Sequence, residues 1–524
     1  MAFKGKGRYG PREKKTSIKN SIGRVILVVL LLIVQFYWLF SILWGLGQKY
    51  PLLGVLVEFF ALLLVAAINE NNSNVSMKVP IIILILAAPF LGVLLLVVLE
   101  ISSNTWRIRR RFLKIDSEIS PYLKRKKDLL GEIGKDSRRA KNIFRYLKDY
   151  AGYPAYDDTD IRFFPEASLA LDDLIRDLKS AKDFIFMEYH AIEHKESFAR
   201  IHKVLREKVK EGVEIRILYD DIGSFVFINH DFIKLMERDG IKARVFNPMM
   251  PVFNLFINNR DHRKYTIIDG KVAYTGGYNI ANEYFNITSP YGYWKDTGVR
   301  IEGPAVDNIT SMFLEMWGVS RKKDQETDYA RYFNRALEKK TERGYICPYA
   351  DSPIDDEPTG ENVYMTMINT AEDYVWFVTP YLILTGEMTR AFQLAAQRGV
   401  DVRIIVPGIP DKRIINLVTK SYYSELAKYN VRIYEYTPGF CHAKQGISDD
   451  LFATCGTINL DYRSFYHHFE NGVLIYNNEV ITDIKRDFTK TFSECCEVTE
   501  KYKKTAPGLV RLANSILRLA APFL

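Results

Sequence analysis

Apolar residues cluster in three long runs near the N terminus of the chain. Residues 25–46 form a run without a charged residue, residues 52–68 form a second run that contains Glu58, and residues 80–99 form a third. A helix of about 20 apolar residues is long enough to span the hydrocarbon core of a bilayer. The pattern predicts a membrane region over residues 25–100.

Basic residues flank these runs. Residues 1–24 carry eight Lys or Arg and one acidic residue, and residues 107–114 carry five more basic residues. Because positive charge favours the cytoplasmic side of a membrane, both clusters would lie there if the number of crossings is even. With three apolar runs, either one run does not cross or one cluster faces outward. The 52–68 run is short and contains a carboxylate, so we expect it to be tilted or re-entrant.

The chain as a whole has the composition of a folded protein. The 524 residues are 48% apolar and 26% charged, and the net charge of +9 is accounted for by the two basic clusters. A broad basic surface for nucleic acid is therefore not expected. The cysteines lack zinc-ligand spacing and are predicted to be reduced thiols: Cys347, Cys441, Cys455, Cys495 and Cys496.

Residues 101–165 are charged and are predicted to form a helical linker. Beyond them, helical patterns alternate with short runs of β-branched and aromatic residues, such as 184–189 (FIFMEY) and 213–219 (VEIRILY). This alternation is typical of strand–helix–strand units and predicts a largely parallel α/β sheet.

The same pattern occurs twice along the chain. Residues 211–218 (EGVEIRIL) resemble residues 398–405 (RGVDVRII), and other strand patterns recur at similar offsets. A solenoid needs a short period and at least three copies, whereas two large copies predict two similar half-domains related by a pseudo-twofold axis. We place the halves at 166–345 and 346–507.

Inside this repeat, five residue types recur at the same spacing. In each copy a His is followed by Lys, Asp, Gly and Asn, namely His262, Lys264, Asp269, Gly276 and Asn279, and His442, Lys444, Asp449, Gly456 and Asn459. Agreement at five positions in both copies is not accidental. Because residues i and i+2 of a strand face the same side, the His and Lys of each copy are expected to point together.

Two such copies, facing each other, would form a binding site for one phosphoryl group. The Lys and Asn donors would stabilise charge on its oxygens, one imidazole would attack phosphorus, and the other would protonate the leaving oxygen. The expected intermediate is a phosphohistidine, after which the second imidazole acts as base. The protein itself supplies the positive field, so we expect no metal and no cofactor. Asp269 and Asp449 are expected to support the motif and the fold.

The two His-x-Lys-x4-Asp motifs resemble those of the phospholipase D superfamily, and the residues around them resemble bacterial cardiolipin synthases. Residues 259–279 (NRDHRKYTIIDGKVAYTGGYN), residues 456–465 (GTINLDYRSF) and the pair Phe469 and Glu470 carry this second likeness. The resemblance implies an α/β fold with two pseudo-twofold-related phospholipase D-like half-domains. Each half would be a mixed sheet flanked by helices, placed after N-terminal transmembrane helices.

The resemblance also implies a reaction. One phosphatidylglycerol would give its phosphatidyl group to the enzyme and release glycerol, and a second phosphatidylglycerol would take the group and become cardiolipin. The implied partners are therefore phosphatidylglycerol, cardiolipin and the lipid bilayer, without nucleic acid. The implied location is the bacterial cell membrane, with several crossings and the catalytic part in the cytoplasm.

Residue roles follow from the resemblance by position. His262 matches the nucleophile, and His442 matches the general acid and later base. Asp296 and Glu470 occupy the places of carboxylates that, in relatives, orient the His of the other half. Asn279 and Asn459 would bind the substrate.

Other functions remain open at this point. The same fold could serve a lipid hydrolase, or a synthase with ethanolamine or serine as acceptor. A nuclease is disfavoured because the soluble part is not basic, and an inactive scaffold is disfavoured because both motif copies are complete.

Two further expectations concern residues outside the motifs. Residues 508–524 could form an interfacial amphipathic helix or a helix that closes the core. His190 is expected to be structural, and His467 and His468 are expected to pack near the site or at the edge of the substrate.

Overall fold

The structure is a computed structural model. It describes residues 49–70, 74–102, 105–125, 127–228, 231–248, 258–320, 326, 328–335, 344–504 and 507–523, together with scattered residues between 26 and 45. The predicted basic N terminus, 1–24, and much of the apolar run 25–46 lie outside the described residues.

Two mixed β-sheets form the centre of the molecule. Their strands, with short strands that link them, are in chain order β1 (Asp160–Phe164), β2 (Phe184–Tyr189), β3 (Glu214–Asp220), β4 (Lys242–Phe246), β5 (Arg260–Asp261), β6 (Lys264–Ile268), β7 (Val272–Gly276), β8 (Tyr293–Lys295), β9 (Gly298–Glu302), β10 (Tyr345–Asp351), β11 (Tyr374–Val378), β12 (Leu382–Ile383), β13 (Asp401–Pro407), β14 (Arg432–Tyr436), β15 (Gly439–Cys441), β16 (Gln445–Ser448), β17 (Phe452–Gly456), β18 (Leu460–Asp461), β19 (His468–Tyr476) and β20 (Cys495–Glu497).

Helices surround the sheets and precede them in the chain. They are α1 (Pro51–Glu70), α2 (Val75–Ala87), α3 (Pro89–Ser102), α4 (Thr105–Ile119), α5 (Leu130–Asp136), α6 (Arg138–Asp149), α7 (Ala167–Ser180), α8 (Glu196–Lys210), α9 (Asp221–Ser224), α10 (Asp231–Arg238), α11 (Val306–Ser320), α12 (Thr359–Thr370), α13 (Gly386–Gln397), α14 (Arg413–Ala427), α15 (Tyr462–Tyr466), α16 (Val480–Ser493), α17 (Thr499–Lys503) and α18 (Gly508–Ala520).

The two sheets share the same order of seven strands, and the second sheet has one further strand, β20, at its edge. The first has the order β1-β9-β7-β6-β2-β3-β4 and the second the order β10-β19-β17-β16-β11-β13-β14-β20. In both, three strands run parallel, β2, β3 and β4 in one and β11, β13 and β14 in the other. The prediction of two similar half-domains is therefore confirmed. Strand β1, which pairs with β9, lies before residue 166, where the first half was predicted to begin.

The mixed sheets that the resemblance implied are confirmed, whereas the largely parallel sheet predicted from the strand–helix pattern is wrong, because most neighbouring strands in both sheets are antiparallel. Tight turns cause this arrangement. Asp269 and Gly270 have φ angles of 54° and 65° between β6 and β7, and Asp449 and Asp450 have φ angles of 53° and 58° between β16 and β17. A short turn can join only antiparallel neighbours, since parallel strands need a long crossover.

The N-terminal apolar runs differ from the prediction. Among the described residues, α1 is the one helix long and apolar enough to cross a membrane. The 80–99 run is divided between α2 and α3 at Ala88, because Pro89 disfavours helical geometry in the residue before it. The 52–68 run, expected to be tilted or re-entrant, thus forms the longest apolar helix of the described residues, and several crossings are not confirmed.

The charged segment that follows packs against the two half-domains. Helix α4 packs against α11, and its Phe112, Ile115 and Ile119 belong to a buried cluster that contains residues of both sheets, such as Phe186 and Val473. Burying an apolar side chain of this size contributes about 1.5–3 kcal/mol. The two halves and the segment before them therefore share one apolar core.

Candidate functional site

The two predicted histidines lie where short strands cross from one half-domain to the other. In the first crossing, β5 pairs with β19 of the other half, and Asp261 is opposite Phe469. In the second, β15 pairs with β8, and Cys441 is opposite Lys295. His262 and Glu470 directly follow the first pair, and His442 and Asp296 directly follow the second. The strand pairing therefore places each histidine beside a carboxylate of the other half.

Side-chain contacts follow this register. Nδ1 of His262 lies 2.8 Å and 2.9 Å from the two carboxylate oxygens of Glu470. Nδ1 of His442 lies 2.7 Å from Oδ2 of Asp296. A carboxylate on Nδ1 holds the ring in one orientation and stabilises its cation, and it leaves Nε2 to react. The pairing of Asp296 and Glu470 across the halves is therefore found in the geometry.

The two motif lysines are buried beside the histidines. Nζ of Lys264 donates to the carbonyl oxygen of His262 at 2.6 Å. Nζ of Lys444 donates to the carbonyl oxygen of His442 and also lies 2.7 Å from Nδ1 of that ring. Burial lowers the pKa of Lys264 to about 7 and that of Lys444 to about 8. Their ammonium groups are thus poised to lose a proton near neutral pH.

The same burial acts on the imidazoles. The pKa of His262 is well below its ordinary value because of burial and then the nearby Lys264 and Lys444. The pKa of His442 is lowered by burial and then by Lys444 and Lys264. Burial also raises the pKa of Asp296 to about 7. A neutral imidazole is the nucleophilic form, and the negative charge of a bound phosphate would favour protonation of one ring.

The surroundings of the two rings differ. The ring centroids of His190 and His468 lie 5.0 Å and 5.3 Å from that of His262. The ring of His442 instead faces aromatic side chains, with Trp294 at 5.3 Å, Tyr284 at 5.3 Å and Phe440 at 5.7 Å.

The carboxylates are also held differently. Glu470 accepts hydrogen bonds from the hydroxyl groups of Thr457 and Ser464. At the position equivalent to Thr457 the first half has Gly277, where an added Cβ atom would lie 2.1 Å from Oδ1 of Asp296. The carboxylate of Asp296 thus occupies the space that a side chain at position 277 would need, and only glycine leaves room for it.

The other predicted residues lie in the frame of the site. Asp269 accepts hydrogen bonds from the backbone N–H groups of residues 182–184, and Asp449 accepts them from those of residues 372–374. The amide of Asn279 bonds to Ala191 and Tyr284, and that of Asn459 to Asp461. Their role in binding the substrate stays a prediction.

Three further residues lie close to the two histidines or act on them. His190 and His468, expected to have structural or edge roles, both face His262. Lys412, at the start of α14, was not noticed, although its charge contributes to the lowered pKa of both His262 and His442. His190 directly follows β2, and residues that follow parallel strands of an α/β sheet commonly line its site, which is the signal that could have found it.

Within the described part of the chain, one group has the donor set for a metal ion. The ligand atoms of His262, His468 and Glu470 lie within 4.8 Å of one another. Glu470 already contacts His262, so a cation there would compete with that contact.

Comparison with protein families agrees with this geometry. The chain matches the family model described as "Cardiolipin synthase, PLD-like domain" over residues 174–317 and 364–492, which together are about half of the chain. Each segment contains one copy of the His-x-Lys-x4-Asp motif.

Curated relatives cover most of the chain. It is 33% identical over 386 residues to a cardiolipin synthase of Clostridium perfringens, which is 73% of this chain and 80% of that protein. It is 29% identical over 464 residues to cardiolipin synthase 1 of Bacillus cereus, covering 87% and 90%. An uncharacterized protein of Streptococcus mutans is 40% identical over 443 residues, covering 84% and 95%.

Among solved structures, the fold resembles phosphatidylserine synthase of Haemophilus influenzae. The TM-score is 0.55 at 14% sequence identity, over 74% of this chain and 100% of that chain. At this identity the likeness concerns the fold alone.

Proposed function

The chain belongs to the cardiolipin synthase family with phospholipase D-like domains, and from this premise we propose that it joins two phosphatidylglycerol molecules into cardiolipin and glycerol. The observation that carries the proposal is a pair of contacts between the two halves of the site. Each histidine of the motif is held by a carboxylate of the other half, at 2.8 Å for His262 and 2.7 Å for His442.

In the first step, Nε2 of His262 attacks the phosphorus of one phosphatidylglycerol. A P–N bond forms, the bond from phosphorus to the glycerol oxygen breaks, and Nε2–H of His442 gives its proton to that oxygen. Lys264 and Lys444 stabilise the charge on the phosphoryl oxygens. Glycerol leaves, and the phosphatidyl group stays on His262.

In the second step, a free glycerol hydroxyl of another phosphatidylglycerol loses its proton to Nε2 of His442. The resulting oxygen attacks phosphorus, the P–N bond breaks, and cardiolipin leaves with both histidines restored. Glu470 stabilises the charge that His262 carries as a phosphohistidine, and Asp296 does the same when His442 is protonated.

His262 is the better nucleophile of the two on local grounds. Both oxygens of Glu470 contact its Nδ1, and the hydroxyl groups of Thr457 and Ser464 fix that carboxylate. The ring is therefore held in one orientation while Nε2 attacks, which favours the reaction.

The substrate confines the enzyme to a membrane. Helix α1 is apolar over most of its length and Ala61 is its one buried residue, so it suits insertion into a bilayer. We place the protein in the bacterial cell membrane, with the basic cluster at 107–114 and the catalytic body on the cytoplasmic side.

A product analysis tests the reaction. Purified protein is incubated with phosphatidylglycerol alone, in detergent and in vesicles, and the lipids and free glycerol are quantified. We expect cardiolipin and glycerol in equal amounts. Phosphatidic acid as the only lipid product would replace the synthase with a hydrolase, and a product formed only after adding ethanolamine or serine would change the acceptor.

A further inference from the structure

The C-terminal helix α18 has one face attached to the catalytic body. The guanidinium of Arg518 lies 4.4 Å over the ring of Tyr422, donates to the backbone of Ser421 and pairs with Glu425, all on α14. Leu517 and Ala521 pack against the core of the second half. This face anchors the helix firmly along α14.

The opposite face of α18 is apolar and exposed. Its side chains are spaced three and four residues apart and form one stripe, with exposed fractions of 83%, 59%, 60%, 44% and 44% for Leu509, Leu512, Ile516, Leu519 and Phe523. A helix that only closed the core would turn polar residues outward. A contiguous apolar surface of this kind marks a contact with another hydrophobic phase.

The helix that carries this stripe also contacts one of the apolar N-terminal helices. Helix α2 contacts both α18 and the turn Ala521–Phe523 that follows it, and α2 packs against α1. Nδ2 of Asn74, which caps α2, bonds to Tyr466 at the end of α15. If α1 lies in the bilayer, the stripe of α18 is held at the same surface.

The catalytic centre lies close to this surface. Nε2 of His467 contacts the carbonyl oxygen of Pro522 at 3.2 Å, and the neighbouring His468 faces His262. On α14, Ile414 and Leu417 are 63% and 56% exposed, shortly after Lys412.

Charge favours an anionic lipid surface. Lys504, which precedes α18, and Arg511, in the first turn of α18, both have exposed side chains. Exposed cations near an apolar helix face attract anionic headgroups.

We propose that α18 is a membrane-docking helix whose stripe of Leu509, Leu512, Ile516, Leu519 and Phe523 inserts into the interface of an anionic bilayer, next to α1 and α2. This contact holds the catalytic histidines close to the membrane surface that contains the lipid substrates. The inference rests on the proposed function for the identity of those lipids. The competing occupant of the stripe is a second copy of the chain.

Depth measurement tests the docking directly. In full-length protein with Cys495→Ser and Cys496→Ser, the remaining cysteines are buried, so a Leu512→Cys substitution can be labelled with an environment-sensitive fluorophore. The protein is reconstituted in phosphatidylglycerol and phosphatidylcholine vesicles that contain brominated acyl chains. A matched label replaces Leu394, which is 41% exposed on α13.

We expect bromine quenching at position 512 and none at 394. Equal, weak quenching at both positions overturns the proposal. So does a label at 512 that is shielded from water only at high protein concentration, because that result assigns the stripe to a second copy.

An activity measurement adds a functional readout. The double variant Leu512→Asp and Ile516→Asp places charge in the stripe, and Leu394→Asp is its control. We expect the double variant to lose about tenfold of its activity on vesicles and to retain it on phosphatidylglycerol dispersed in detergent, with an unchanged melting temperature. Equal loss in both assays contradicts docking. A wild type that makes no cardiolipin contradicts the proposed function but leaves the quenching result valid.

Discussion

The surroundings of His262 and His442 show how two copies of one motif become different. Both rings bind a carboxylate of the other half, and both lie beside a buried lysine. Yet His262 is flanked by two further imidazoles, whereas His442 faces three aromatic side chains. The repeated fold places the two histidines in equivalent positions. Residues outside the motif give them different environments.

This difference has a chemical meaning for a two-step transfer. The nucleophile must carry a phosphoryl group between steps, so a polar environment that stabilises charge suits it. The residue that acts first as acid and then as base must exchange a proton with a glycerol oxygen. Surrounding side chains that exclude water favour this exchange. Matched substitutions in the two halves should therefore have unequal effects.

Removing either histidine should have the largest effect, but at different steps. With phosphatidylglycerol, His262→Ala and His442→Ala should each lower turnover by about 10⁴-fold or more. With a phosphatidyl ester of nitrophenol, whose leaving group needs no proton, His442→Ala should regain a burst of one phenolate per enzyme and His262→Ala should not. Rapid-mixing absorbance measures the burst, and a burst in His262→Ala would reassign the nucleophile.

Replacing the carboxylates should have the next largest effect. Glu470→Gln and Asp296→Asn keep the shape of each side chain but lose its charge, so each should lower turnover by about 10²–10⁴-fold. The nitrophenyl ester should rescue the first step in Asp296→Asn and not in Glu470→Gln, because each carboxylate supports a different ring. Equal rescue in both variants would show that the two pairs are equivalent.

The lysines should produce an alkaline limb in the pH profile. Because burial lowers the pKa of Lys264 to about 7 and of Lys444 to about 8, the free enzyme loses both ammonium charges as pH rises through that range. The value of kcat/KM, which reports the free enzyme, should therefore fall above pH about 7. Lys264→Arg stays charged and should move the limb to higher pH. Because burial raises the pKa of Asp296 to about 7, its ionisation should add a rising limb on the acid side of this range. A profile that keeps rising above pH about 8 excludes the role assigned to the lysines.

Substituting the residues that hold the two carboxylates in place should have the smallest effect on turnover, and the effect should differ between the halves. Thr457→Ala removes one hydrogen bond to Glu470, worth about 1 kcal/mol, so kcat should fall several-fold. Gly277→Ala instead pushes Asp296 away from its position and should reduce kcat further. Thermal unfolding of both variants separates these effects from loss of the fold. A larger loss in Thr457→Ala would reverse the comparison.

Much of the arrangement could be predicted from residue spacing. The two half-domains, the motif residues of both copies and the partners Asp296 and Glu470 follow from the repeat and from the resemblance it supports. The direction of the strands did not follow, because strand–helix–strand patterns occur in the parallel part of each sheet and hide the hairpins formed at Asp269 and Asp449. The division of the 80–99 run at Ala88 depended on one proline in an otherwise apolar segment.

The sequence by itself determined which groups are available: two histidines, two lysines and their carboxylates at repeated positions, together with apolar runs for a membrane. Tertiary structure decided which of them meet. Glu470 reaches His262 across 208 positions of the chain, and Asp296 reaches His442 across 146. Local patterns act over a few residues through backbone geometry, whereas these contacts depend on how β5 and β15 cross between the halves. The outward direction of the stripe on α18 was decided in the same way, because α14 occupies the other face of the helix.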